Sequence, residues 1–307
     1  MDFLAGYRRL IIGLFSLFIF FSSLHAAEDA FSLDKGFLWP DSSLYLRSRL
    51  ISPSVFQNPS SLSFSESNLV IKADSSQDYF GYNLWSVSGL IPTQYITIGV
   101  GIQTFSADDI PQTSFDDSAD YGVAVSDSLS DSINELRLVL SRKLYQNMSA
   151  SFSFSAYYRD LVGYSSSSYS GDFGFSWIIN EYVGLGVYSR HLFSTPIDWV
   201  DLDGIEDSFE KKGIVEAFFS VEPVWAKISS DSEYIRLETE FRLAPYLAVM
   251  ADAVSSFEEG SLRQGYGVVL ELKPMSFYYY HLNFSGLPLS VSQDQFGFSF
   301  QLTGYTR

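Results

Sequence analysis

Residues 148–159 read MSASFSFSAYYR. The even positions are Met148, Ala150, Phe152, Phe154, Ala156 and Tyr158; the odd ones are Ser149, Ser151, Ser153, Ser155, Tyr157 and Arg159. Successive side chains of a β-strand point to opposite faces, so this segment has one apolar face and one hydroxylic face ending in a cation. A soluble β-sandwich alternates too, but its strands are usually about 5–6 residues long, whereas crossing the hydrocarbon of a bilayer at a steep tilt takes about 9–11. The length of the run and the aromatic content of its apolar face place this strand between lipid and water.

The same period recurs along the chain. In 234–243, Ile235, Leu237, Thr239, Phe241 and Leu243 alternate with Tyr234, Arg236, Glu238, Glu240 and Arg242. In 133–143, Leu136, Leu138 and Leu140 stand against Glu135, Arg137, Ser141 and Lys143, and in 293–302 Phe296, Phe298, Phe300 and Leu302 stand against Gln295, Gly297, Ser299 and Gln301. The full set of candidate strands is 68–73, 79–88, 94–105, 132–143, 148–159, 170–179, 182–192, 213–221, 223–229, 234–243, 246–255, 263–272, 275–285 and 293–303. Every second connection is tight, centred on Ile91-Pro92, Tyr145-Gln146-Asn147, Asn180-Glu181, Glu222-Pro223, Ala244-Pro245 and Pro274. Proline suits such turns because it donates nothing to a ladder. The other set includes the two longest loops, 106–131 and 193–212. The reading is an all-β chain: a transmembrane antiparallel β-barrel of about fourteen strands, with short turns on one side and long loops on the other.

The first residues read as an export signal, 1–26. Arg8 and Arg9 precede an apolar run from Leu10 to Phe21, and small residues follow up to Ala27. That run is short for a spanning helix, which needs about 20 residues. The chain has no Cys, so no disulfide framework is available, and 17% of it is aromatic, with 27 Phe and 20 Tyr. The net charge of −17 argues against nucleic acid as a partner. Much of that acid falls in the two long loops, at Asp108, Asp109, Asp116, Asp117, Asp120, Asp127 and Asp131, and at Asp198, Asp201, Asp203, Glu206, Asp207 and Glu210. Solubility and surface repulsion explain it; a divalent-cation site between Asp198 and Asp207 is the alternative, but the spacing lacks the glycine and terminal Glu of a calcium loop, and no metal ligand is assigned.

Residues 27–67, with Pro40, Pro53 and Pro59 and many serines, do not alternate. They are expected to fold into the lumen as a plug, with a periplasmic extension or an extra strand as the alternatives; 68–307 is the barrel. By parity the inward face carries Glu135, Arg137, Lys143, Arg159, Arg190, Glu216, Lys227, Arg236, Glu238, Glu240, Arg242, Arg263, Glu271, Lys273 and His281. Charges of both signs can neutralise one another across strands. A ligand-binding role would fall to Arg159, Arg190, Arg236 and Arg242, whose planar guanidinium groups suit a carboxylate head group. No Gly-x-Ser-x-Gly elbow, metal-binding His pair or phosphate loop is present, so no catalytic residue and no cofactor are assigned, and an enzyme is not expected.

At Asn58-Pro59-Ser60-Ser61-Leu62 the chain resembles the Asn-Pro-Ala-x-Leu element that precedes the barrel in the FadL and PorV families of outer-membrane proteins. The tail from Gly286 through Leu302 resembles their last loop and strand, and Phe193–Trp199 resembles an element of PorV-like barrels. The chain departs from that pattern where Ser42–Ser54 replaces a glycine-rich segment and where Arg307 rather than Phe is the last residue. The resemblance implies a fourteen-strand barrel plugged partly by Asn58, Pro59, Leu62 and their neighbours. It implies passage of fatty acids or other hydrophobic molecules if FadL-like, or a non-conducting shuttle for secreted protein cargo if PorV-like. A general diffusion porin is the third reading, although such porins tend to have about 16–18 strands. Each places the chain in the bacterial outer membrane, among lipid and lipopolysaccharide, after handling by the barrel-assembly machinery. Short turns and C-terminus would be periplasmic and the acidic loops extracellular.

Overall fold

The structure, a computed structural model, describes residues 55–56, 58–64, 69–78, 82–115, 123–161, 164–199, 208–209, 211–231, 233–256, 262–285 and 291–302. The expected signal 1–26 and the first part of the expected plug lie outside these residues.

Fourteen long strands run up and down the chain. They are β1 (Leu69–Asp78), β2 (Tyr82–Pro92), β3 (Thr97–Phe115), β4 (Val123–Tyr145), β5 (Met148–Leu161), β6 (Tyr164–Ile178), β7 (Val183–Arg190), β10 (Lys212–Val221), β11 (Val224–Ser230), β12 (Tyr234–Ala244), β13 (Leu247–Ser256), β14 (Leu262–Leu272), β15 (Met275–Ser285) and β16 (Val291–Leu302). Two pieces of two residues each, β8 (Phe193–Ser194) and β9 (Asp198–Trp199), continue the line of β7 along β6. Each long strand pairs antiparallel with its chain neighbours, and β1 pairs β16, so the sheet closes on itself. Closure is what hydrocarbon demands, because an open sheet edge would leave a row of N–H and C=O groups without partners.

The registers confirm the face assignment. Ser149, Ser151, Ser153 and Ser155 are buried while Phe152 and Phe154 are exposed, and Arg236, Glu238 and Glu240 are buried while Leu237 and Phe241 are exposed. The outward Ile71, Val87, Val100, Leu136, Leu138, Leu140, Ile228, Val249 and Phe277 form an apolar band. Exposed Tyr95, Tyr145, Tyr182 and Tyr246 ring its short-turn end, and Trp85, Tyr158, Tyr169 and Tyr266 ring the other. Aromatic rings take such interfacial positions because they are apolar in body and polar at the tip. A strand of about ten residues rising about 3.3 Å each, tilted by about 40°, spans about 25 Å, the height of an outer-membrane barrel's apolar band. The chain is a membrane-spanning barrel.

Segment 106–131 departs from its expected form. Rather than one long loop, it is mostly ladder: β3 and β4 stay paired to Phe115↔Val123, with register shifts at Ala107/Ile110 and Gln112/Thr113. The dense Asp and Ser of this stretch hide the apolar alternation that marks the other strands. The 193–212 loop also contains strand, in β8 and β9, where the chain runs back along β6.

A charge placed on the outer band has no partner in lipid. Leu138→Arg is expected to destabilise the barrel by about 2–4 kcal/mol in urea unfolding from lipid vesicles, and Tyr145→Arg at the interface by no more than about 1 kcal/mol.

Candidate functional site in the barrel interior

Of the expected plug, residues 55, 56 and 58–64 are described, and they are buried inside the wall. Asn58 is their fixing point. Its Nδ2 donates to Glu216 Oε1 at 2.5 Å and to Ser176 Oγ at 3.2 Å, and its Oδ1 accepts from the Ser60 backbone N–H at 3.1 Å and hydroxyl at 2.6 Å. The Ser60 carbonyl accepts in turn from Ser141 and Ser149 on the wall, at 3.2 and 2.7 Å. Pro59 opens the 3-10 turn Pro59–Phe64, where a missing N–H costs nothing, and Leu62 packs with Val55, Phe56, Val70, Leu90 and Val139. Wall glycines make room for this segment. A Cβ on Gly99 would stand 2.7 Å from Val55 Cγ1, one on Gly174 3.1 Å from Asn58 Oδ1, and one on Gly186 2.7 Å from Asn58 Nδ2.

The 3-10 segment Pro59–Phe64 rests on β3–β7, and that side of the interior is polar. The serine column of β5 is short enough for long side chains to cross it. Arg137 of β4 reaches Asp172 of β6 at 3.0 Å over Ser153, to which it also donates. Glu135 accepts from Ser155 and Tyr157 on one side and from Gln103 on the other. The ring order sets β10–β15 opposite, and there Phe218, Trp225, Met250, Val269, Tyr278 and Tyr280 form an apolar cluster. Three of its rings lie over glycines directly opposite in the ladder: Phe218 over Gly184, Tyr280 over Gly267 and Tyr278 over Gly297. A ring covering a glycine fills the gap left by the missing side chain and pins the register. The hydroxyl of Tyr278 reaches past Gly297 to Asp74 on β1, and that of Tyr280 donates to Asp252 at 2.5 Å.

The four arginines expected to hold a head group are placed separately. Arg159 donates twice to Asp131, at 3.1 and 2.7 Å. Arg190 donates to the Phe56 carbonyl of the plug at 3.2 Å. Arg236 bridges Asp252 at 2.9 Å and Glu238 at 3.1 Å, and Glu238 also meets Lys227 at 2.5 Å. Glu238 and Asp252 stand directly opposite in the ladder, where like charges repel, so Arg236 is what makes the pair tolerable. Arg159, Arg190 and Arg236 stand toward the long-loop end of the interior; Arg242 lies beside the short turn, 3.5 Å from an 88% exposed Glu222.

Among the described residues the β6–β7 ladder is interrupted beyond Tyr188. His191 has φ of 55°, in the left-handed region, and two residues of chain are gained against β6 between Gly174↔Tyr188 and Gly171↔Phe193. Side chains replace ladder bonds there: the Phe173 N–H donates to Ser189 Oγ at 2.9 Å and the Leu192 N–H to Asp172 Oδ1 at 3.4 Å. Phe209, from the long loop, stacks on His191 at 4.5 Å and against Tyr157 at 4.6 Å.

Sequence parity missed Lys72, Asp74, Asp131, Asp172 and Asp252. Asp252 follows Ala248 and Met250 on a strand that is apolar on both faces, so its parity carries no signal, but Lys72 and Asp74 alternate with exposed Ile71 and could have been read. His281, expected inward, faces out with Phe277 and Tyr279, its Nδ1 2.8 Å from Asp294. The error came from a strand rich in aromatics on both faces, Tyr278 and Tyr280 inward and Phe277 and Tyr279 outward. Among the described residues no group of three or more His, Cys, Asp or Glu side chains is placed to hold a metal ion.

Arg236→Ala takes the guanidinium from buried Asp252 and leaves Glu238 to Lys227, and is expected to cost about 3–5 kcal/mol in urea unfolding. Arg242→Ala removes only a rim pair and is expected to cost less than about 1 kcal/mol. Gly186→Ala pushes against Asn58 and Glu216; an overpacking strain of about 1–3 kcal/mol would speed amide exchange of 58–64 by about tenfold or more, read by hydrogen-exchange mass spectrometry.

No family profile and no curated protein sequence matches this chain. Solved structures do. The toluene transporter TodX of Pseudomonas putida matches with a TM-score of 0.60 at 11% identity, over 81% of this chain and 93% of its own. The toluene transporter TbuX of Ralstonia pickettii matches at 0.61 and 10%, over 83% and 94%. A Pseudomonas aeruginosa FadL homologue matches at 0.52 and 10%, over 82% and 94%. At such identities the likeness is one of fold: the chain shares the fourteen-strand barrel fold of these outer-membrane proteins.

Proposed function

We propose that the protein is an outer-membrane channel for hydrophobic or amphipathic small molecules, with its long loops outside the cell and its short turns in the periplasm. The observation that carries this reading is the division of the interior. An apolar wall of Phe218, Trp225, Met250, Tyr278 and Tyr280 runs on one side, and a serine and ion-pair wall holding the plug runs on the other. An apolar molecule loses little by leaving lipid for the first wall, because its burial there replaces burial in hydrocarbon. The second wall anchors the plug through hydrogen bonds that an apolar molecule does not compete for. TodX and TbuX are described as toluene transporters, and the same fold supports a route for hydrocarbon-like molecules here. Fatty acids are a further candidate, with Arg159, Arg190 and Arg236 toward the long-loop end as carboxylate partners once their present acceptors give way.

The interior favours this reading over an open porin. Among the described residues many inward side chains, such as Lys72, Glu135, Arg137, Lys227 and Gln295, are buried, as in a filled lumen rather than a wide water-filled path. The weak place for an exit is the β6–β7 seam, where side chains rather than ladder bonds hold the wall.

The refolded protein in liposomes should admit an apolar fluorescent probe and exclude small sugars in a swelling assay. Met250→Lys puts a charge into the apolar wall and should slow probe uptake by at least about tenfold, since 1.4 kcal/mol is already a factor of ten. Ser170→Cys with Ser194→Cys joins directly paired residues across the seam; oxidation should block uptake and reduction restore it. Sugar permeability equal to that of a porin, or uptake indifferent to Met250→Lys, would sink the proposal.

A further inference from the structure

We propose that the edge of β4 above the barrel rim, residues 123–131, is an acceptor for an extended cationic segment of another exported polypeptide, which adds to it as a strand. The inference stands apart from conduction. Its basis is the height of one hairpin. β2 begins at Tyr82, opposite Ala107, and β5 ends at Leu161, opposite Asp131. Beyond those points β3 and β4 continue alone, and among the described residues 110–115 and 123–129 pair only with each other. The aromatic ring at this end crosses the hairpin far below its tip, since Trp85 pairs Thr104 and Tyr158 pairs Asn134. The eight steps from Ala107 to Phe115 lift it about 26 Å further, into water.

A two-stranded ribbon is marginal by itself and gains most from a third strand. Both edges offer unpaired backbone groups to one. The edges are not equal. β3 carries Pro111, which has no N–H to give, and Asp108-Asp109 at its register shift. β4 has a complete set of donors, VAVSDSLSD over 123–131.

Charge selects the occupant. No Lys or Arg occurs between Lys72 and Arg137, while Asp108, Asp109, Asp127 and Asp131 belong to the two strands of this hairpin and Asp116, Asp117 and Asp120 fall between those strands in the sequence. A second copy of the chain would bring the same charge to the same edge and be repelled. A Lys- or Arg-bearing strand would be drawn to it and then fixed by main-chain hydrogen bonds.

The test uses the full refolded barrel in lipid nanodiscs with three peptides of about ten residues: alternating Lys and Val, alternating Glu and Val, and the Lys-Val peptide with every backbone amide N-methylated, so that its charge remains but neither edge can donate. The Lys-Val peptide should bind, more weakly as salt rises, and slow amide exchange in 123–131 at least tenfold. The other two should not protect it. Adjacent strand residues face opposite edges, so of Ser128→Pro and Leu129→Pro one leaves the hairpin bonds intact and should abolish protection by the peptide, with barrel folding verified by circular dichroism. Equal protection by the N-methylated peptide, protection by magnesium alone, self-association of the barrel through this edge, or unchanged exchange at saturating Lys-Val peptide would each overturn the proposal.

Discussion

An amide in hydrocarbon has nowhere to turn but another amide. That constraint dictates the closed ladder, and the ladder dictates nearly everything else in the molecule. Because β1 must meet β16, the strand count, the alternation and the short-turn lengths have to agree around the ring. The line of β7 meets this demand even where it breaks: at His191 the hydroxyl of Ser189 and the carboxylate of Asp172 stand in for missing ladder partners.

Inside the cylinder the constraint relaxes, and size rather than polarity organises the space. Serines on β5 keep the wall low, so that Arg137 spans from β4 to Asp172 on β6. Glycines at 99, 174 and 186 leave a bed in which Val55, Asn58 and Pro59 lie. On the far side glycines do the reverse, taking the rings of Phe218, Tyr278 and Tyr280 from the neighbouring strand. One residue type thus serves a polar side that holds chain and an aromatic side that stays smooth. The interior charges are bound up in pairs and bridges such as Arg159–Asp131, Arg236–Glu238–Asp252 and Lys227–Glu238, which leaves a wall with little net field.

Above the cylinder the rules change again. Water can satisfy an open edge, so the β3–β4 hairpin extends past its neighbours and, among the described residues, pairs there only with itself. Its acidity keeps such an edge from pairing with its own kind.

The sequence alone determined the barrel, its strand number and most of its strand limits, because a wall with lipid on one face and side chains on the other writes a period of two into most segments long enough to cross. It also marked Asn58, Pro59 and Leu62 as a unit. Tertiary structure decided what the interior does with its residues: that Asn58 meets Glu216 from 158 positions away, that Arg236 serves two carboxylates while Arg242 sits at the rim, and that His281 looks out toward Asp294. Parity says which face a side chain takes, but the partner it finds there is set by the stagger of strands and by the size of the residues between them, and neither is local in the chain.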